Sequence, residues 1–353
     1  MKAIRKASLA LTSLVLAAAG ASLTAHAGDA INLGGYSVTG VYALDILNGT
    51  SGGISGLEAS AVTYARDRNN GLGSLFVVGD EGTGVIEMSL TGQNLGYMNF
   101  NWSNTGSTKH DTEGLTYLGN GVLVMTEERL QDAYKFTYVN GGTAALANSF
   151  VSMSNTNVGN SGIEGISYDP RNGGFVTVKQ ESPQSIYAGS LTFGAATGGL
   201  PATLTKDGTS PTGGGTSTMT QLFDPALMGL LTLSDVQTLS PITALAGSAA
   251  ENNLLVLSLG SRRLIEVDRQ GHIKSSLDLT NILAHNGIEG VTVDEKGTIY
   301  LVAEQIQDGT SSDGKSQLIV LTAPVPEPET YAMLLAGLGL MGVIARRRKS
   351  KQV

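Results

Sequence analysis

Polar and apolar positions follow one scheme along most of this chain. A segment opening on Gly or Asp and a nearby Glu is followed by an apolar stretch that ends near an acid, and then by a second apolar stretch. Helical periodicity is scarce outside the two termini. The openings are "GLEASAVTY" at Gly56, "DTEGLTYLG" at Asp111, "GIEGISYDP" at Gly162 and "GIEGVTVDE" at Gly287. The stretches that follow are "SLFVVGDE" to Glu81, "GVLVMTEE" to Glu128, "GFVTVKQE" to Glu181 and "TIYLVAEQ" through Glu304. A degenerate fifth copy starts at Ser240 with "SPITALAGS" and "NLLVLSLGS", and has Thr243 where the others have Glu. Third stretches follow in every unit, and fourth ones in some, as in "NLGYMNF" and "HIKSSLDL". Repeats of roughly 40 to 50 residues built from strands predict a propeller, because a four-stranded meander leaves apolar faces open on both sides and radial stacking buries them.

The pattern therefore predicts an all-β, five-bladed β-propeller of four-stranded antiparallel blades. The last unit ends after Leu321 without a fourth strand, while Tyr36 to Ile46 precedes the first unit and belongs to none. That N-terminal segment is expected to complete the last blade and close the ring. Between about residues 190 and 240 the spacing stretches. Its Gly/Thr/Pro-rich part, "GGLPATLTKDGTSPTGGGTST", predicts a flexible surface loop. It is followed by the outer strand "TMTQLF", and then by a short helix capped by Asp224 with Pro225 in its first turn.

The ends carry signals of another kind. Lys2, Arg5 and Lys6, an apolar run from about Ala7 to Ala21, and Ala25-His26-Ala27 make a secretory signal peptide over residues 1–27, with the mature chain starting at Gly28. The propeller domain then spans 28–323, and 324–353 form a sorting tail. The tail reads Val325-Pro326-Glu327-Pro328-Glu329, an apolar run from Tyr331 to Ala345, and Arg346-Arg347-Arg348-Lys349. It resembles the PEP-CTERM sorting signal of Gram-negative bacteria. That resemblance implies transient anchoring in the inner membrane through the C-terminal helix and processing by an exosortase-type enzyme. It also implies residence in the periplasm, at the cell surface or in an exopolysaccharide matrix.

Charge narrows the partners. Without the two end segments the body has 14 Lys and Arg against 28 Asp and Glu, a net charge of −14. Nucleic acid is excluded as a partner, because phosphate recognition needs a basic surface. Hard cations suit the field better. The absence of cysteine excludes disulfides, thiol chemistry and cysteine-ligated zinc.

Inner strands of successive blades converge on one axis, so Glu58, Glu113, Glu164 and Glu289 are expected to face a common channel. Such a ring must be protonated, water-separated or neutralised by a cation, and oxygen donors favour Ca2+ or Mg2+. The competing reading is that each Glu braces a neighbouring blade's backbone. Glu81, Glu128, Glu181 and Glu304, at the ends of the second strands, are secondary metal candidates. His110 and His285 precede two of the ring glutamates and are the candidates for acid–base catalysis. No Gly-x-Ser-x-Gly elbow, phosphate loop or Asp-rich calcium loop occurs.

The runs "SGLEASAVTY", "DTEGLTYLG", "TEERLQDAYKF", "SGIEGISYDP" and "VKQESPQSIY" resemble the SdiA-regulated family of bacterial propellers over most of residues 50 to 322. The resemblance implies a five-bladed propeller with bound calcium and no settled activity. Three functional readings stand beside one another. The first is a calcium-binding module that binds or scaffolds an envelope or exopolysaccharide ligand. The second is a metal-dependent hydrolase of a lactone or phosphoester, and the third is a purely structural surface protein.

Overall fold

The computed structural model describes residues 29–44, 58–80, 82–154, 156–199, 203–306 and 315–324. The signal peptide, Glu81 and the tail beyond residue 324 lie outside them. Five sheets are present, and they are the five expected blades. The N-terminal strand β1 (Ser37–Ala43) is the outer strand of the last blade. Blade 1 comprises β2 (Glu58–Ala65), β3 (Ser74–Asp80), β4 (Gly84–Met88) and β5 (Asn94–Asn101). Blade 2 is formed by β6 (Thr112–Gly119), β7 (Val122–Glu127), β8 (Asp132–Thr137) and β10 (Phe150–Ser152), whereas β9 (Thr143–Ala145) leaves it to pair in parallel with β5. Blade 3 comprises β11 (Ile163–Asp169), β12 (Gly174–Lys179), β13 (Ser185–Gly189) and β14 (Thr220–Gln221). Blade 4 follows with β15 (Asp235–Thr238), β16 (Leu254–Ser258), β17 (Arg263–Val267) and β18 (Ile273–Asp278). In blade 5, β19 (Asn286–Val293), β20 (Ile299–Ile306) and β21 (Gln317–Thr322) are completed by β1, which pairs antiparallel with β21 from Ser37↔Thr322 to Ala43↔Gln317.

The apolar runs are continuous because alternate side chains of a middle strand enter opposite seams. In β3, Leu75 and Val77 pack with Tyr300, Val302 and Leu318 of blade 5, whereas Phe76 and Val78 pack with Leu115, Met125 and Tyr134 of blade 2. Val124, Ala133 and Val151 meet Ile166 and Phe175 between blades 2 and 3, and Val176, Val178 and Ile186 meet Val236, Val256 and Ile265 between blades 3 and 4.

Hydroxyls latch the inner strands to one another. Tyr117 N donates to Thr63 Oγ1 (3.1 Å), Tyr168 N to Thr116 Oγ1 (2.9 Å), Thr238 N to Ser167 Oγ (3.0 Å) and Tyr64 N to Thr292 Oγ1 (3.1 Å). The remaining seam is joined by Thr292 Oγ1 donating to Gln237 Oε1 (3.0 Å). These bonds define which residues of different blades are equivalent.

Two expectations are corrected. Blade 4 does not begin at Ser240: its inner strand is β15, and Thr243 lies in a 3-10 turn, Thr243–Leu245, of the connection to β16. Buried Ile242, Leu245 and Ala250 give that connection the apolar texture of a strand. The Gly/Thr-rich insertion is not a free loop. Thr209 N donates to Gly106 O, Thr108 Oγ1 to Lys206 O, and Ser210 Oγ to both carboxylate oxygens of buried Asp132 at 2.8 and 2.9 Å. Backbone-rich Gly and Thr thus provide the polar groups that tie it to blade 2. Beyond it, Pro225–Met228 is a 3-10 turn capped by Asp224 Oδ1, which accepts from Ala226 N at 3.0 Å, as the Asp-Pro pair predicts.

Candidate metal centre

A β-bulge sits at the same place in four of the inner strands. Pairing with the second strand slips between Ala59 and Ala61, Thr112 and Gly114, Ile163 and Gly165, and Ile288 and Gly290. The extra residues are Ser60, Glu113, Glu164 and Glu289, and a bulge re-aims the side chain it carries. The glycine that follows each Glu has a separate reason. A Cβ at Gly114 would lie 3.0 Å from Glu164 O, at Gly165 2.6 Å from Asp235 Cα, and at Gly290 2.9 Å from Ser60 O. Glu-Gly therefore pairs an acid with the close approach of the next inner strand.

The hydroxyl latches place Glu58 two residues before the bulge position, where blade 2 has Asp111 and blade 3 has Gly162. Ser60 takes the bulge position in blade 1, and Ser234 takes it in blade 4, not Thr243. Three glutamates, not four, thus share one equivalent position. Glu58 stands at the level above them, bonded to Gln305 Nε2.

The second strands bring further acids: Asp80 ends β3, Glu128 directly follows β7, and Glu304 lies near the end of β20. One carboxylate oxygen each from Asp80, Asp111 and Glu113 lies within 4.8 Å of the others. At that separation two negative charges repel by about 3–4 kcal/mol at an effective dielectric of about 20. Burial, followed by the charges of Glu164, Glu289, Asp111 and Asp80, pushes the Glu113 carboxyl well above its ordinary range. Glu164 is raised by burial and then by Glu128, with Glu289 and Asp111 beyond it. Glu289 is raised by burial and then by Glu304, with Asp80 and Glu58 beyond it. Glu113 and Glu289 have protein packed deeply around them, yet they keep part of their surface accessible. Glu128 is buried: Gly162 N donates to its Oε1 at 3.0 Å, whereas Oε2 meets no donor.

The donor set is oxygen only, mostly anionic, and converges from blades 1, 2, 3 and 5. This chemistry fits a hard divalent cation such as Ca2+, which takes six to eight oxygens, and fits zinc or copper poorly. Glu81 lies outside the described residues, and Glu181 is exposed, with its carbonyl accepting from Lys179 Nζ. Asp80 and Asp111 were not predicted. The signal for Asp111 was in the chain: aligning "SAVTY" with "EGLTY" on the shared Thr-Tyr pairs it with Glu58.

The histidines differ from each other. The His110 ring stacks on Trp102 with centroids 4.7 Å apart and planes 10° from parallel, and its backbone is left-handed at φ 61°. Trp102, which in the sequence has no visible stacking partner, also meets Phe100 and Tyr134 edge-on. His285 is exposed in the turn before β19.

Comparison with known proteins adds two family matches. The family described as SdiA-regulated matches residues 41–305, and the PEP-CTERM protein-sorting motif matches residues 324–349. Among solved structures, the chain is similar to the glutaminyl cyclase of Myxococcus xanthus, at 12% identity over 83% of this chain and 97% of that one, with a TM-score of 0.42. It is also similar to a luciferin-regenerating enzyme, at 11% identity over 80% and 95%, with a TM-score of 0.43. The PQQ-bound aldose sugar dehydrogenase of Streptomyces coelicolor matches at 12% identity over 81% and 97%, with a TM-score of 0.42.

Proposed function

The chain belongs to the SdiA-regulated family and carries a sorting motif of exported proteins, and from that premise we propose that it is a calcium-binding propeller acting as a binding or scaffold module of the cell envelope or exopolysaccharide matrix. The observation that carries the calcium reading is the approach of the Asp80, Asp111 and Glu113 carboxylates from blades 1 and 2, with a buried oxygen of Glu128 without a donor beside them and the charges of Glu164 and Glu289 of blades 3 and 5 acting on Glu113. Asp80, Asp111 and Glu113 would hold the cation, with Glu164, Glu128 and Glu289 beside them. When bound, the cation supplies positive charge that lets these carboxyls ionise together. The acidic body and the lack of a nucleophile motif favour binding over covalent chemistry.

The sorting motif implies an exosortase-type enzyme as the processing partner. Retention at the inner membrane would rest on Tyr331 to Ala345, which lie outside the described residues. Among the described residues no helix is long and apolar enough to cross a membrane.

One observation favours a second reading, a metal-dependent hydrolase. Glu113 and Glu289 keep accessible surface, so a substrate could reach a bound cation, with His110 or His285 as candidate base. Calorimetric titration of the chelator-treated protein with Ca2+ tests the shared premise, and saturable binding that is lost on adding Glu113→Gln and Asp111→Asn together is expected. Absence of saturable binding overturns both readings. Calcium-dependent turnover of a lactone and phosphoester panel would replace the module by the hydrolase.

A further inference from the structure

A cavity of about 390 Å3 lies in the seam between blades 2 and 3, and none of the clustered carboxylates lines it. That volume is in the range that holds a small ligand. Its polar end contains Thr177 and Lys179, which β12 presents on one face because they are two residues apart. In the other blades the positions equivalent to Thr177 hold Val77, Met125, Val256 and Leu301, so the seam is polar here where its counterparts are apolar. Met153, Met219, Tyr187, Ile163 and Pro183 supply apolar surface to the same cavity. Ile163 is paired to Lys179 and Tyr187 to Thr177 across the sheet, and Gln131, Ser154 and Thr156 add polar lining.

Two features of the polar end are incomplete. Lys179 is only 6% exposed, yet among the described residues it forms no ion pair, and its Nζ donates only to the backbone carbonyls of Glu181 and Pro183. A buried ammonium has three hydrogens to place and ordinarily a counter-charge. Thr177 is 1% exposed, and its Oγ1 is buried without a hydrogen-bond partner. Buried polar groups are rarely left in this state unless something else completes them.

We propose that this cavity is a binding site for a small monocarboxylate with an apolar body, whose carboxylate takes the Lys179 ammonium and the Thr177 hydroxyl. One point charge flanked by two carbonyl oxygens suits a single carboxylate. A phosphate dianion is better matched by a bidentate guanidinium or a cradle of backbone N–H groups than by one ammonium flanked by carbonyl oxygens. The nearby Glu128 adds negative charge and disfavours a dianion further. The site is independent of the calcium reading.

The test uses the exported protein and a series of straight-chain carboxylates from acetate to octanoate, with hexanamide and hexyl phosphate as comparators, read by calorimetry and thermal unfolding. Saturable binding by a mid-length carboxylate is expected, with hexanamide at least about tenfold weaker. Lys179→Met should abolish it, Thr177→Val should weaken it several-fold, and Glu113→Gln should leave it unchanged. On the parent protein the same ligand should shift the methyl resonances of Met153 and Met219, which keeps the test alive if Lys179→Met fails to fold. Equal binding of hexanamide, tighter binding of hexyl phosphate, undiminished binding to both seam variants, or no binding across the series would each overturn the proposal.

Discussion

Blades 2 and 4 have the same four-stranded meander and opposite chemistry at the channel. At the three positions where blade 2 carries Asp111, Glu113 and Glu128, blade 4 carries Thr232, Ser234 and Leu259. Ser234 Oγ merely accepts from Leu259 N at 3.0 Å. A blade therefore forms without any of these acids, so the meander itself does not require them. Blade 4 has its own buried acid one residue further on. Asp235 accepts from Val236 N at 2.8 Å and from Val291 N of blade 5 at 2.7 Å, and it is packed against Gly165. Here an acid does brace, and its geometry shows it: both of its hydrogen bonds come from backbone N–H groups. In blade 2, by contrast, Asp111 pairs with Arg129 and lies with Glu113 against Asp80, while Glu128 takes a backbone N–H, that of Gly162.

The largest expected effect separates these two kinds of acid. Asp235→Ala strands two buried N–H groups and should cost about 2–4 kcal/mol, equally with calcium and with chelator. If the loss were confined to the calcium-loaded protein, the distinction would fail.

Glu113→Gln should behave in the opposite manner. Removing one charge relieves repulsion in the metal-free protein and raises its melting temperature. A tenfold loss of calcium affinity would remove about 1.4 kcal/mol of stabilisation at saturating metal. Lowered stability in both states, with the calcium shift intact, would return this residue to the bracing class.

A pH titration sharpens the same contrast. In blade 2, burial pushes Glu127 and Asp132 up to about 7, from ordinary values of 4.5 and 3.8. The equivalent positions in blade 4 are Ser258 and Arg263. Because the folded values are raised, these groups contribute stability that is fully present below the unfolded values and is lost as pH rises towards about 7. The metal-free protein should therefore melt lower at pH 8 than at pH 5. Glu127→Gln with Asp132→Asn should flatten that slope, and an unchanged slope would show that blade 2 is not its source.

The smallest effect comes from converting blade 4. Ser234→Glu adds a carboxylate to the bulge level and should destabilise the metal-free protein, with part of the loss recovered on adding calcium. An equal loss in both states would mean that position 234 does not face the other three glutamates.

The chain's own periodicity determined the number of blades, the closing strand and most of the acids. Strand-forming apolar runs, turn residues and the orphan segment at Tyr36 are local properties, and local properties are written residue by residue. Export was likewise legible from the motif at Pro326-Glu327-Pro328, which acts as a linear signal. Register was legible only through the shared Thr-Tyr pair. Glu58 looks equivalent to Glu113 because both begin a repeat, but the bulge falls two residues later, at Ser60, as the pairing between β2 and β3 shows. Thr243 looks like the start of blade 4 because the connection after β15 buries apolar residues of its own. The insertion reads as loose because Gly and Thr carry no apolar pattern, yet its backbone found partners on blade 2. Asp80 of β3 meets Asp111 and Glu113 at the start of β6, and Lys179 and Thr177 share a cavity with Met153 and Met219. These encounters depend on which strands lie side by side, which the closed ring fixes and no single stretch of sequence encodes.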